Sequence, residues 1–323
     1  MWLRETEATP PIGPLRAEAR DIGALNRLFS DAFTERYRRD GLTAVRVPHL
    51  NTAVWRYAIE GAGAGAMVWH DERGELVAFN MVHHSGTEGW MGPLAVRTDH
   101  QGGGFGRDVV QAGIARLKEA GVRTIGLETM PRTLDNIGFY SRLGFRPGPL
   151  TITLQTPVAR GLAPIAARLG AADGARREAL IDECRALSMA VADGVDFTRE
   201  LELTLQIGLG DASLLRNAGG ELSAFVLWQV APLAADRAAE DLRVLKLVAR
   251  DLPTARAAIR AAEAEASVRG LEGCAVRCQT RYPELYRQLI AADWRVHWTD
   301  LRLTLEGYQE PEVSGVLLSN WEI

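Results

Sequence analysis

Apolar positions along the chain alternate between period-two and helical spacing, and the two halves run through these stretches in nearly the same order. In the first half, a short strand is predicted around 15–17. Behind Asp21, a residue suited to cap a helix, Ile22, Leu25, Leu28, Phe29 and Phe33 fall on one helical face. The polar segment 34–50 predicts loop with a little helix. Asn51 heads a second helical stretch carrying Val54, Trp55 and Ile59, and the glycine-alanine run 61–65 stops it. Strands are predicted at 66–69 and 76–83, joined by the turn Asp71-Glu72-Arg73-Gly74. A further strand, 90–96, enters a glycine-rich turn, and the helix beyond it carries Val109, Val110, Ile114 and Leu117. Residues 122–147 then read as strand, turn, short helix and strand, closing near 150–155. Pro93 sits inside the strand before the glycines. Lacking an N–H, it belongs at an edge, a bulge or a splayed position.

After Pro157, Gly161 and Pro164 the order recurs. Helices are predicted at 175–191 and 197–207, then strands at 213–216, 222–230 and 242–249. A long alanine-rich helix (254–268), a strand (274–278), a helix (283–291) and a final hairpin of 296–305 with 316–321 follow. Leu285-Tyr286 corresponds to Phe139-Tyr140, and Asp293-Trp294 to Gly144-Phe145, so the chain reads as a duplicated unit, 1–156 and 157–323.

Composition narrows the classes. The 323 residues, 47% hydrophobic and 24% charged, fit a globular protein of two domains. A formal net charge of -4 gives no basic footprint for nucleic acid. No apolar run is long enough to span a bilayer, and the N-terminal residues lack the basic-then-apolar pattern of a secretory signal. Cys184, Cys274 and Cys278 form no disulfide framework, which points to the cytoplasm. Cys274 and Cys278 share a strand face, and without a second ligand pair they read as buried small residues; no metal is expected.

The chemistry concentrates at Gln101-Gly102-Gly103-Gly104-Phe105-Gly106-Arg107. Glycines there let the backbone turn sharply and present bare N–H groups at a helix N-terminus, a natural place for a pyrophosphate. The Walker pattern is absent, and the dinucleotide fingerprint fails because Val109 and Arg107 stand where it needs glycine. What fits is Gln-x-x-Gly-x-Gly, filled by Gln101, Gly104 and Gly106 and preceded by Gly92-Pro93-Leu94-Ala95-Val96. Phe139-Tyr140 followed by Leu143-Gly144-Phe145 makes a second block. The two blocks, in this order, resemble the signatures of the GNAT N-acetyltransferases.

The resemblance implies an α/β (α+β) fold of two tandem GNAT-like domains, each a mixed, mostly antiparallel central sheet flanked by helices. It implies an acetyl-CoA site in the first domain, with Leu94, Ala95 and Val96 beside the thioester and pantetheine, Gln101 to Arg107 around the pyrophosphate, and Asn136 near the cofactor. Many relatives carry Asn where Thr133 stands, and Asn136 comes one turn later. Arg107 fits both a phosphate contact and an ordinary helix-surface position. Tyr140 matches the family's proton donor to the departing thiolate, and it fits equally as an aromatic packed beside Phe139 and Phe145. For the base, Glu128, on the strand that should flank the thioester, ranks before His84, with Glu88 and His83 nearby. A buried carboxylate there could have its pKa raised to suit the task, and some relatives use only a chain of waters.

Where the first half has the glycine turn, the second has Arg250-Asp251-Leu252-Pro253, with no glycine until Gly270. The second unit therefore reads as a degenerate domain without a pyrophosphate loop, bracing the first or walling its substrate pocket. The resulting expectation is a cytoplasmic N-acetyltransferase moving the acetyl group of acetyl-CoA to a primary amine on a small molecule or peptide. Transfer is by direct attack in a ternary complex, since no cysteine lies in the first unit. The protein is a monomer or homodimer. The alternatives are a non-catalytic acyl-CoA-binding or sensing module, and a transferase of a longer acyl group.

Overall fold

A computed structural model describes residues 10–320. The first half comprises β1 (Ile12–Arg16), α1 (Ile22–Arg39), α2 (Thr52–Ala62), β2 (Ala66–His70), β3 (Leu76–Ser85), β4 (Glu88–Val96), α3 (Phe105–Glu119), β5 (Thr124–Thr129), α4 (Leu134–Arg142) and β6 (Phe145–Pro157). The second comprises β7 (Ala167–Arg168), α5 (Gly174–Val191), α6 (Thr198–Ile207), β8 (Gly210–Arg216), β9 (Leu222–Gln229) and β10 (Asp241–Ala249). It continues with α7 (Leu252–Val268), β11 (Gly273–Gln279), α8 (Pro283–Ala291), β12 (Arg295–Leu305) and β13 (Val316–Ser319).

Local chemistry explains the helix ends. Asn51 Oδ1 accepts the Ala53 N–H at 2.9 Å at the start of α2. Asp21 precedes α1 but makes no side-chain cap; its carboxylate accepts from the Glu18 N–H in a preceding 3-10 turn. The first helix continues to Arg39, well into the segment expected to be loop. Glu35 pairs with Arg39, and three arginines in the last turn complement the helix dipole.

One mixed sheet carries all the strands of the described residues, in the order β1-β2-β3-β4-β5-β12-β6-β11-β10-β9-β8-β7, with β13 beside β10. Pairing is antiparallel except between β4 and β5 and between β10 and β11. The halves exchange strands. The strand after α4, β6, lies between β12 and β11, and the strand after α8, β12, lies between β5 and β6. Each half thus supplies a strand to the other's sheet, and the chain cut at 156/157 does not cut the sheet. The hairpin expected of 296–305 with 316–321 is corrected: both edges of β12 are taken by β5 and β6, so β13 pairs with β10 instead.

In the first half α3 covers one sheet face, with Val109, Val110, Ile114 and Leu117 on Met91, Ile125 and Leu127. Helices α1 and α2 cover the other, where Leu25, Phe29 and Trp55 meet Phe79 and Met81. In the second half α7 and the pair α5–α6 do the same. Tyr57 of α2 is buried among α5 and α6 residues, so the helices of the two halves close over a common space. No helix among the described residues is long and apolar enough to cross a membrane.

Candidate active site

The parallel ladder between β4 and β5 stops at Met91 opposite Leu127. Beyond it the strands part, and Pro93 has no N–H to offer a neighbour. The Arg97 N–H donates to Val77 O at 2.7 Å, toward β3, so by alternation Leu94 and Val96 turn their backbone groups into the gap. Gln101 caps one of them: its Nε2 donates to Val96 O at 2.8 Å.

The glycine turn stands beside this gap. Gly102 and Gly104 have φ of +88° and +94°, a region that favours glycine, and a Cβ at Gly102, Gly103 or Gly104 would meet nothing within 4 Å. Gly104 begins α3 with no side-chain cap; the Arg107 N–H turns back to Gly104 O at 2.8 Å, and no described residue accepts from the N–H groups of Phe105 and Gly106. A Cβ on Gly106 would come within 3.8 Å of Phe139 and 3.9 Å of Val96, which ties the turn to α4 and to the strand. The matching end of α7 is closed: Asp251 Oδ1 accepts from the Thr254 N–H at 2.8 Å. The second half's gap is filled as well. Past the β10–β11 ladder, Lys246 to Ala249 pair with Ser319 to Val316 of β13.

A cavity of about 610 Å³ opens from the first gap. Phe29, Phe33 and Tyr37 of α1 form one wall, and Trp90, Leu94 and Glu128 another. Asn136 and Tyr140 reach it from α4, and Arg277, Trp298, Asp300 and Arg302 from the second half. A walling role is one of the two expected of the second half, but no motif marks these four residues or the α1 side chains as lining.

Glu128 lies at the centre of a charged cluster. Arg302 Nη1 donates to its Oε1 at 2.7 Å, Thr151 Oγ1 donates to the same oxygen at 2.5 Å, and Arg277 Nη2 donates to Oε2. Arg277 also pairs with Asp300 at 3.0 Å, and Arg302 with Glu310 at 3.0 Å while lying 3.9 Å from the centre of the Trp90 ring. Burial pushes the Glu128 carboxyl up, but the two arginines outweigh it and hold the group below its ordinary range. The raised pKa expected of a base is therefore corrected to a lowered one.

His84 also departs from expectation. It lies opposite Gly89, where a Cβ would come within 2.7 Å of Leu117 of α3, so its side chain is on the α3 side, exposed and away from the cavity. Partial desolvation of the ring, and the charge of Arg116, lower its pKa. His83, opposite Trp90, is buried on the other face. Of the residues assigned from the sequence, Leu94, Glu128, Asn136 and Tyr140 line the cavity. Ala95 and Val96 are buried in cores on opposite faces of the sheet. Phe105 is half-buried, its ring 6.3 Å from that of Trp69, and Arg107 is exposed. Asn136 Nδ2 donates to Thr129 Oγ1 at 3.4 Å, and Thr133 Oγ1 to Asp40 Oδ2 at 2.7 Å. Tyr140 packs against Phe139 and Phe145, and burial pushes its phenol up to about 12.

The profile of the acetyltransferase (GNAT) family matches residues 23–145. Those residues form a GNAT domain. It takes in the glycine turn, the gap between β4 and β5, and Tyr140. Solved structures share the fold over nearly the whole chain. A provisionally assigned acetyltransferase from Pyrococcus horikoshii is 16% identical with a TM-score of 0.63, over 98% of this chain and 95% of that one. A GCN5-related N-acetyltransferase from Sphaerobacter thermophilus is 16% identical with a TM-score of 0.58, over 93% and 97%. The N-myristoyltransferase of Saccharomyces cerevisiae, solved with bound myristoyl-CoA, is 10% identical with a TM-score of 0.61, over 93% and 85%. No curated protein matches the sequence significantly. The GNAT domain supports an acyltransferase.

Proposed function

We propose that the protein is an N-acetyltransferase that moves the acetyl group of acetyl-CoA to a primary amine, acting in the cytoplasm. The observation that carries this reading is the uncapped glycine turn standing beside the parted strands β4 and β5, with Tyr140 on the cavity between the halves. The pyrophosphate would rest on the N–H groups at the start of α3, aided by the helix dipole. The pantetheine arm would take the place of a neighbouring strand along Leu94 and Val96. Attack would be direct, because the three cysteines lie in the second half and all are buried. The Tyr140 hydroxyl, pushed to about 12, stays protonated and would donate to the departing sulfur. The second half would bind no acyl-CoA of its own and would form the far wall of the cavity.

The size of the cavity favours one further reading, transfer of a longer acyl group, since an acetyl group fills little of 610 Å³. Calorimetric titration tests both. Acetyl-CoA should bind at one site, and Gly103→Glu should abolish it, because Gly103 lies in the open turn and lacks a positive φ, so the substitution adds charge without backbone strain. Much tighter binding of myristoyl-CoA would favour the longer chain. No binding of either would defeat the proposal, and binding without thiol release for any amine would leave a sensing module.

A further inference from the structure

The main cavity and a smaller one beside it are connected by a hydrogen-bonded pair. Ser319, the last residue of β13, lines the main cavity, and its Oγ donates to Glu88 Oε2 at 2.7 Å. Glu88, the first residue of β4, lines a second cavity of about 120 Å³, whose walls include the exposed side chains of Arg123, Asp193 and Glu312. Lys246 Nζ donates to the same Ser319 hydroxyl at 2.9 Å. A serine hydroxyl has one proton to give and two lone pairs. Among the described residues the proton goes to Glu88 and Lys246 takes one lone pair, which leaves one acceptor position. The pair joins the halves, because Glu88 belongs to the first and Ser319 to the second.

The charges around Glu88 come from several elements. Lys246 of β10 and Arg302 of β12 act on it, as does Glu200 of α6, which accepts a hydrogen bond from Ser85. Arg281 and Glu310 line the small cavity with it. Glu88 is only 5% exposed, yet it touches a cavity with solvent-facing walls. Glu128, by comparison, has both oxygens bound by arginines.

We propose that Ser319 and Glu88 conduct the proton released by the acceptor ammonium from the main cavity to the small one. This rests on the acyltransferase reading. As the C–N bond forms and the thioester C–S bond breaks, two protons leave the ammonium nitrogen, and one of them ends on the CoA sulfur. The other passes to Ser319 Oγ as Ser319 gives its own to Glu88 Oε2, and Glu88 releases it to water in the small cavity. Ser319 is the group that meets the substrate, and Glu88 acts through it as a positioning residue.

The test is the pH profile of thiol release from acetyl-CoA with benzylamine, tyramine, putrescine and lysine amide. Wild type is compared with Glu88→Gln, Ser319→Ala and Ser319→Thr, and calorimetric titration of acetyl-CoA serves as a check on folding. Glu88→Gln and Ser319→Ala should lower kcat at neutral pH by about tenfold or more, a loss that shrinks as hydroxide takes over the proton. Ser319→Thr, which keeps the hydroxyl, should recover part of the kcat lost in Ser319→Ala and restore the wild-type shape of the pH profile. A Glu88→Gln profile identical to wild type, or a loss equal at every pH, would overturn the relay while leaving the acyltransferase reading intact. Wild type that binds acetyl-CoA but releases no thiol with any of the four amines would overturn both.

Discussion

Leu247 lies opposite Leu318 in an antiparallel ladder, whereas Leu94, its counterpart in the first half, turns its outer backbone edge into an open gap. The same parting of strands is thus closed by the chain itself in one half and left free in the other. The expected stoichiometry of acetyl-CoA is therefore one per chain. Leu318 is fully buried, so Leu318→Ala should cost about 2–5 kcal/mol of stability, read by urea unfolding. If β13 is a structural filling, the variant still binds one acetyl-CoA. A second site appearing in it would mean that the strand masks a competent slot.

Glu128→Gln separates a structural carboxylate from a catalytic base. With Arg277 and Arg302 both on its oxygens, the carboxylate neutralises buried charge, and its lowered pKa keeps it ionised throughout the neutral range. Removing the charge should cost about 3 kcal/mol, because two arginines lose their common partner. The pH profile of kcat/KM should keep its shape. Loss of its ascending limb in Glu128→Gln would restore this residue to the role of base.

The order of elements was legible because each carries its own periodicity, and the glycine turn because few residue types serve that conformation. The strand exchange was not legible. Strands β6 and β12 have similar patterns, and which neighbours they choose depends on edges that only the assembled sheet defines. Which second-half residues would wall the cavity was hidden for the same reason: Arg277 meets Glu128 across 149 positions of sequence. A carboxylate in the middle of a buried strand did signal that a partner was required, but it left open whether that partner was a proton or an arginine.

Tyr140→Phe distinguishes the two readings of that tyrosine. Phenylalanine preserves the ring contacts with Phe139 and Phe145, so a purely packing role predicts little change. As donor to the sulfur, the hydroxyl should be worth about 10²-fold in kcat, with acetyl-CoA affinity retained. Because burial holds the phenol near 12, Tyr140 contributes no alkaline fall in rate below about pH 10. An alkaline limb near 9 that disappears in Tyr140→Phe would contradict that environment.

His83 should set part of the acid limit of the fold. Burial, with the positive charge of Lys246 and then His84, lowers its pKa to about 3, although a hydrogen bond with the Gly92 backbone opposes the shift. The unfolded chain takes up this proton near 6.5, the folded protein only near 3. Between those values the unfolded state binds more protons, so stability falls as pH drops. The slope from this one group approaches ~1.4 kcal/mol per pH unit, reached below about pH 6 and ending near 3. Replacing the imidazole by an amide, His83→Gln, removes the titration. Urea midpoints at pH 7, 6, 5 and 4 should therefore decline less steeply in the variant than in wild type. Equal slopes would show that His83 is protonated in the folded protein and has found a partner for its charge.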